Sequence, residues 1–232
     1  MAPFIGITTS LNDGEQRLDS AYVRAVETAG GVPVIVPMAG DVRAMADRYV
    51  SLLDGLVVTG GPAVVHGLVT DRACPTLPTD IDPTHPIREA ADQALLQRFL
   101  ATSKPVLGIC YGMQLMNALL GGTIYADVQR QRTGTAAHSV KRGGTRHAVE
   151  HASGSTMADV LGEQVEVNTR HLQAVATCGD GLVATGYAPD GVVEALEGDD
   201  GRLLGVQYHP ERLGAVGAPL FAHVVRRAAG AV

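Results

Sequence analysis

Pro105-Val106-Leu107-Gly108-Ile109-Cys110-Tyr111-Gly112-Met113-Gln114-Leu115-Met116-Asn117 is the stretch on which the reading of this chain turns. Its apolar start, Pro105 to Ile109, reads as a strand buried on both faces, and a helix follows it directly. The Gly-x-Cys-x-Gly frame between the two has the form of a nucleophile elbow with Cys in place of Ser. Glycine is needed on both sides of Cys110 because the turn is sharp and a Cβ there would meet neighbouring backbone. The dipole of the following helix favours a thiolate, and the Tyr111 amide at its start can donate to an oxyanion forming beside the sulfur. The plain alternative is a buried core cysteine.

Working outward, Pro3 to Thr9 reads as a strand. Asp19 to Ala29 follows as a helix, with Tyr22, Val23, Val26 and Ala29 at helical spacing, and Gly30-Gly31 ends it. Val32 to Val36 reads as a strand buried on both faces, Val42 to Leu53 as a helix and Leu56 to Thr59 as a third strand. This alternation specifies a parallel sheet with right-handed crossovers. Residues 60–86 hold five prolines and no period, so a long loop is expected, and Ile87 to Leu100 resumes helical spacing. Residues 127–147 read as a mobile polar surface segment. Short strands at Val165, Ala174, Leu182, Val192 and Leu203 then give an antiparallel pattern, and Gly214 to Val225 a closing helix. The expectation is one α/β domain over 1–232, three-layered αβα around a mixed, mostly parallel central sheet.

With 18 Lys and Arg against 24 Asp and Glu, and no basic run, nucleic acid and anionic membranes are poor partners. No apolar stretch approaches the roughly 20 residues of a membrane span, and the start lacks a secretory pattern, so cytoplasm is the expected location. Cys74, Cys110 and Cys178 are odd in number and widely spaced, which suits neither a disulfide framework nor a zinc site.

A cysteine nucleophile needs a base. His209, in Gly-Val-Gln-Tyr-His-Pro-Glu, is the candidate, with Pro210 fixing the turn and Glu211 placed to orient the imidazole. The other seven histidines lack such an arrangement, and most are read as solvated surface residues. Thr59-Gly60-Gly61-Pro62 leaves the third strand at the end where a parallel sheet places its site, and its paired glycines let backbone approach a substrate carbonyl.

Together GICYGMQLMN, GGP and QYHPE resemble the class I glutamine amidotransferase fold, which is flavodoxin-like. PFIGITTS, YVRAVETAGGVPVIVP, VNTRHLQAV and DGVVEAL are similar to the γ-glutamyl-γ-aminobutyrate hydrolase family, peptidase C26, so the likeness covers nearly the whole chain. The resemblance implies Cys110 as nucleophile, His209 as base, Glu211 as its orienter, and the Gly61 and Tyr111 amides as the oxyanion hole. It places Gln114 beside the glutamyl group and makes His171 a second substrate-binding candidate. It implies a γ-glutamyl amide hydrolase acting on a small-molecule substrate through a thioester, with no metal or organic cofactor, and a homodimer is compatible with the fold. Pro62-Ala63-Val64-Val65-His66 and Tyr111 are closer to the glutaminase part of synthetases. A glutaminase subunit feeding ammonia to a separate synthetase is therefore the alternative, and a non-catalytic binding protein a third reading.

Overall fold

The computed structural model describes residues 1–38, 41–69 and 74–230. In chain order the strands are β1 (Phe4–Thr8), β2 (Ser10–Asn12), β3 (Glu15–Arg17), β4 (Val32–Val36), β5 (Gly55–Val58), β6 (Leu68–Val69), β7 (Val106–Ile109), β8 (Thr123–Tyr125), β9 (Arg146–His151), β10 (Gln164–Asn168), β11 (Ala174–Thr177), β12 (Leu182–Tyr187), β13 (Val193–Gly198) and β14 (Leu203–Val206). The helices are α1 (Ser20–Thr28), α2 (Val42–Leu52), α3 (Pro86–Leu100), α4 (Tyr111–Leu119), α5 (Val128–Gln131), α6 (Thr156–Leu161) and α7 (Ala218–Ala228).

The main sheet runs β10-β9-β12-β13-β14-β7-β5-β1-β4. Its last five strands are parallel, and numbered among themselves they follow the 2-1-3-4-5 order of flavodoxin-like sheets. The other four strands extend it antiparallel. Helices cover both faces over two apolar clusters. One joins Leu95, Phe99 and Met113 to Leu56 and Val58, and the other joins Val26, Phe221 and Val224 to Ile5 and Ile7. The expected mixed, mostly parallel sheet in a helix-sheet-helix sandwich is therefore what the chain builds.

Local chemistry explains the helix limits. Asp19 caps α1 by accepting from the Ala21 amide at 2.9 Å, and His85 with Pro86 opens α3. The closing helix starts later than expected, at Ala218, because Gly214–Val216 forms a separate 3-10 turn.

Three further expectations are corrected. β4 is the sheet edge, where Val32 and Ile35 are exposed, so a uniformly β-branched run is not here buried on both faces. Leu203 opens a strand that is parallel to β7 as well as antiparallel to β13, and Ala174 opens one that belongs to a separate sheet, β11-β8-β6. Residues 127–147 are no loose surface segment: Asp127 and His138 are buried, and Arg142 bridges Asp127 and Asp80 at 2.8 Å each. The long loop over 60–86 is present apart from the short β6, with residues 70–73 outside the described residues. Among the described residues no helix is long and apolar enough to cross a membrane.

Candidate active site

Cys110 stands between β7 and α4 at φ 51° and ψ −103°, in a region that non-glycine residues rarely occupy. Three close approaches hold it there. The Cys110 amide donates to the Val206 carbonyl at 2.7 Å, tying the elbow to β14. A Cβ on Gly108 would lie 2.7 Å from the Gly112 carbonyl, and a Cβ on Gly112 would run into the Val58 carbonyl oxygen of β5. Both glycines thus let helix α4 press against the sheet. Gly112→Ala should therefore lower stability by about 3 kcal/mol, since the obstacle is backbone and has no rotamer to yield. Urea unfolding measures it, and a change below about 0.5 kcal/mol would contradict the packing described.

His209 follows β14, one strand over from β7, and its Nδ1 is 2.7 Å from Glu211 Oε1. Asn168 at the end of β10 clamps the His209 backbone on both sides, donating to its carbonyl at 2.9 Å and accepting from its amide at 3.0 Å. Burial disfavours a charge on the ring, but hydrogen bonds with Cys110 and Glu211 outweigh it, and the His209 pKa is pushed up to about 10. A Cβ on Gly60 would lie 2.6 Å from His209 Cε1, so that glycine makes room for the imidazole. Tyr22 of α1 completes the arrangement by accepting from the Gly60 amide at 3.1 Å. Neither Asn168 nor Tyr22 was legible as a site residue. Each acts through spatial proximity to a motif far away in the chain.

With the Gly60 amide engaged, Gly61 leads the loop into the cavity beside Cys110. Behind it lies Arg88 of α3, only 1% exposed. Arg88 donates to the Thr59 and Gly60 carbonyls at 3.3 and 3.1 Å, pairs with Asp92 at 3.1 Å and stacks on the Tyr111 ring at 4.6 Å. It fills the space a Gly61 Cβ would need. One buried cation thereby braces both segments expected to supply oxyanion amides. Burial pushes Asp92 up to about 6, against the pull of the guanidinium.

The cavity has a volume of about 310 Å³. Cys110 and Gln114 stand in its wall with Gly61–Ala63, Asp80–Asp82 and Ser139–Lys141. Gln114 is buried and its Nε2 donates to the Gln173 carbonyl at 3.1 Å and to Gln207 Oε1 at 3.0 Å. His171 also lines the cavity, but its ring is already committed, Nδ1 at 2.9 Å from the Gln173 carbonyl and Nε2 at 3.2 Å from Glu194 Oε1. It belongs to a buried cluster with His138, His147 and Glu194, which no motif in the chain announces. That corrects the reading of most other histidines as surface residues, since His138, His151 and His171 are all buried.

The family model of peptidase C26 matches residues 3–211. The chain belongs to the peptidase C26 family. Among relatives of this C26 chain, NtpR of Enterococcus hirae is 32% identical over 91% of this chain and 92% of that one. The γ-glutamyl-γ-aminobutyrate hydrolase of Escherichia coli O157:H7 is 27% identical over 90% and 85%. The crystal structure of a candidate GMP synthase component from Thermoplasma acidophilum shares the fold with a TM-score of 0.67 at 16% identity, covering 99% of this chain and 96% of that one.

Proposed function

We propose that this C26 chain is a cysteine-dependent hydrolase that cleaves the γ-glutamyl amide bond of a γ-glutamyl amine, of the γ-glutamyl-γ-aminobutyrate kind, to glutamate and the free amine. The observation that carries the reading is Cys110, held at positive φ on the cavity wall, with a His209 ring bound to Glu211 beside it. His209 holds its proton at neutral pH, so the sulfur attacks the δ-carbonyl as a thiolate within an ion pair. The carbonyl electrons move to oxygen, which accepts from the Gly61 and Tyr111 amides. Collapse expels the amine with the proton from His209 and leaves a thioester on Cys110. Water then attacks, giving one proton to His209, and the sulfur departs as thiolate with glutamate released.

A γ-glutamyl group carries an α-ammonium and an α-carboxylate, and Asp82, Lys141 and Arg170 bring both signs of charge to the cavity. The leaving amine requires room beyond the δ-carbon, which 310 Å³ supplies. Likeness along nearly the whole chain to a protein named for γ-glutamyl-γ-aminobutyrate favours hydrolysis without a partner. Tyr111 and Pro62 keep a second reading, a glutaminase that supplies ammonia to a synthetase. Glutamate release from a panel of γ-glutamyl amines and from glutamine, with no partner added, separates them. The expected result is faster turnover of a γ-glutamyl amine, whereas reaction of glutamine alone, and only with a synthetase present, would establish the second reading.

A further inference from the structure

Glu194 of β13 is wholly buried, and three imidazole nitrogens converge on one of its oxygens. His171 Nε2 and His147 Nε2 lie 3.2 Å from Glu194 Oε1, and His138 Nδ1 lies 3.3 Å from it. Among the described residues, Glu194 Oε2 and His147 Nε2 have no hydrogen-bond partner. All three contacts fall on one carboxylate oxygen, and the other takes none of them.

The outward nitrogens decide where the protons sit. His171 Nδ1 faces the Gln173 carbonyl at 2.9 Å, and a carbonyl only accepts, so this nitrogen carries the hydrogen. His138 Nε2 faces Asp190 Oδ2 at 2.9 Å, and that oxygen, which also takes the Ala136 amide at 2.8 Å, accepts. In the neutral imidazole the inward nitrogen of each ring is then a lone pair aimed at a carboxylate oxygen. Lone pairs facing one another at this distance need something positive between them. Imidazoles whose outer N–H is held by a carbonyl or carboxylate are the arrangement that surrounds metal-bound histidines. Four donors at about 2.0–2.1 Å from a tetrahedral zinc-class ion lie about 3.3 Å from one another, the spacing of the three contacts to Glu194 Oε1. The ligating atoms of His138, His171 and Glu194 all fall within 4.8 Å.

We infer that His138, His147, His171 and Glu194 form a buried binding site for one divalent cation of the zinc class, with Asp190 and the Gln173 carbonyl orienting two of the ligands. Three imidazoles and one carboxylate are a donor set such borderline ions prefer, and calcium or magnesium would be served poorly by it. Its place in the fold gives the ion a bracing task outside the reaction itself. His138 and His147 flank the Ser139–Lys141 wall of the cavity, and the Gln173 carbonyl that holds His171 also accepts from Gln114. The ion would pin both to the sheet.

The test uses untagged full-length protein carrying Cys110→Ser, so that the elbow thiol cannot capture metal, stripped with a chelator and titrated at neutral pH with zinc and separately with cobalt. The expected result is uptake of one ion per chain, a cobalt spectrum of tetrahedral intensity with no thiolate charge-transfer band, and a higher Tm on adding zinc. Asp190→Ala, which removes an orienting contact and no ligand, should weaken uptake roughly 10–100-fold. Glu194→Gln, checked for folding by circular dichroism, should abolish the spectrum. Absence of stoichiometric uptake, an octahedral or thiolate-type cobalt spectrum, or unchanged uptake in a folded Glu194→Gln protein would overturn the proposal. In the first case, ring resonances of doubly protonated His138 and His171 would mark the cluster as a plain ion-pair network.

Discussion

Cys110→Ala should leave a folded protein whose hydrolysis of γ-glutamyl amides falls by roughly 10⁴–10⁶ in kcat, the loss expected when a nucleophile acting within a triad is removed. The fold should survive because the backbone at Cys110 is held by the Val206 carbonyl and by the Gly108 and Gly112 approaches, none of which involves the sulfur. Cys74 and Cys178 offer no substitute. Cys74 is buried in the proline-rich loop with its thiol donating to the Thr76 carbonyl at 3.1 Å, and burial pushes the Cys178 thiol up, away from a reactive thiolate. Alanine at either should leave activity within about twofold. An active Cys110→Ala protein, or loss of activity in folded Cys178→Ala, would move the chemistry elsewhere.

His209→Ala should be comparably severe, since the ring handles the proton in both half-reactions. Glu211→Gln should cost less, roughly 10²–10⁴, because the amide can keep the 2.7 Å contact while losing the charge that favours the imidazolium. The two losses will not add. The pH profile carries the same assignment. The His209 pKa is raised, so the proton given to the leaving amine is held at neutral pH and lost as pH rises through about 10, and kcat should fall along that limb. With Glu211→Gln the limb should move to lower pH, since one of the two interactions that raise the value is weakened. Equal rate losses, or a limb that stays in place, would contradict these roles.

The features legible in the sequence were those that local chemistry writes in full. Gly108-x-Cys110-x-Gly112 announced a sharp strand-to-helix turn, and the Cβ positions show why both glycines are required. The alternation from Pro3 to Ile109 specified four of the five parallel strands, because buried runs and amphipathic helices each have their own period, whereas the fifth, β14, was read into the antiparallel pattern. What stayed hidden depends on distant segments meeting. Asn168 supports His209 from 41 residues away, and Arg88 reaches the oxyanion segments from a helix whose spacing shows only that it is a helix. The edge position of β4 was invisible because Val32–Val36 is as apolar as a central strand. The histidine cluster around Glu194 was missed because its members, scattered from 138 to 194, have no ligand spacing to read.

The most direct measurement is covalent labelling of the purified chain, with no partner protein, by a glutamine analogue bearing an electrophilic carbon at the δ position. The label is then located by peptide mass spectrometry. The expected result is one label per chain on the peptide containing Cys110, suppressed by γ-glutamyl-γ-aminobutyrate and absent from Cys110→Ala and from His209→Ala. Labelling at Cys178, or no labelling at all until a synthetase is supplied, would contradict the account.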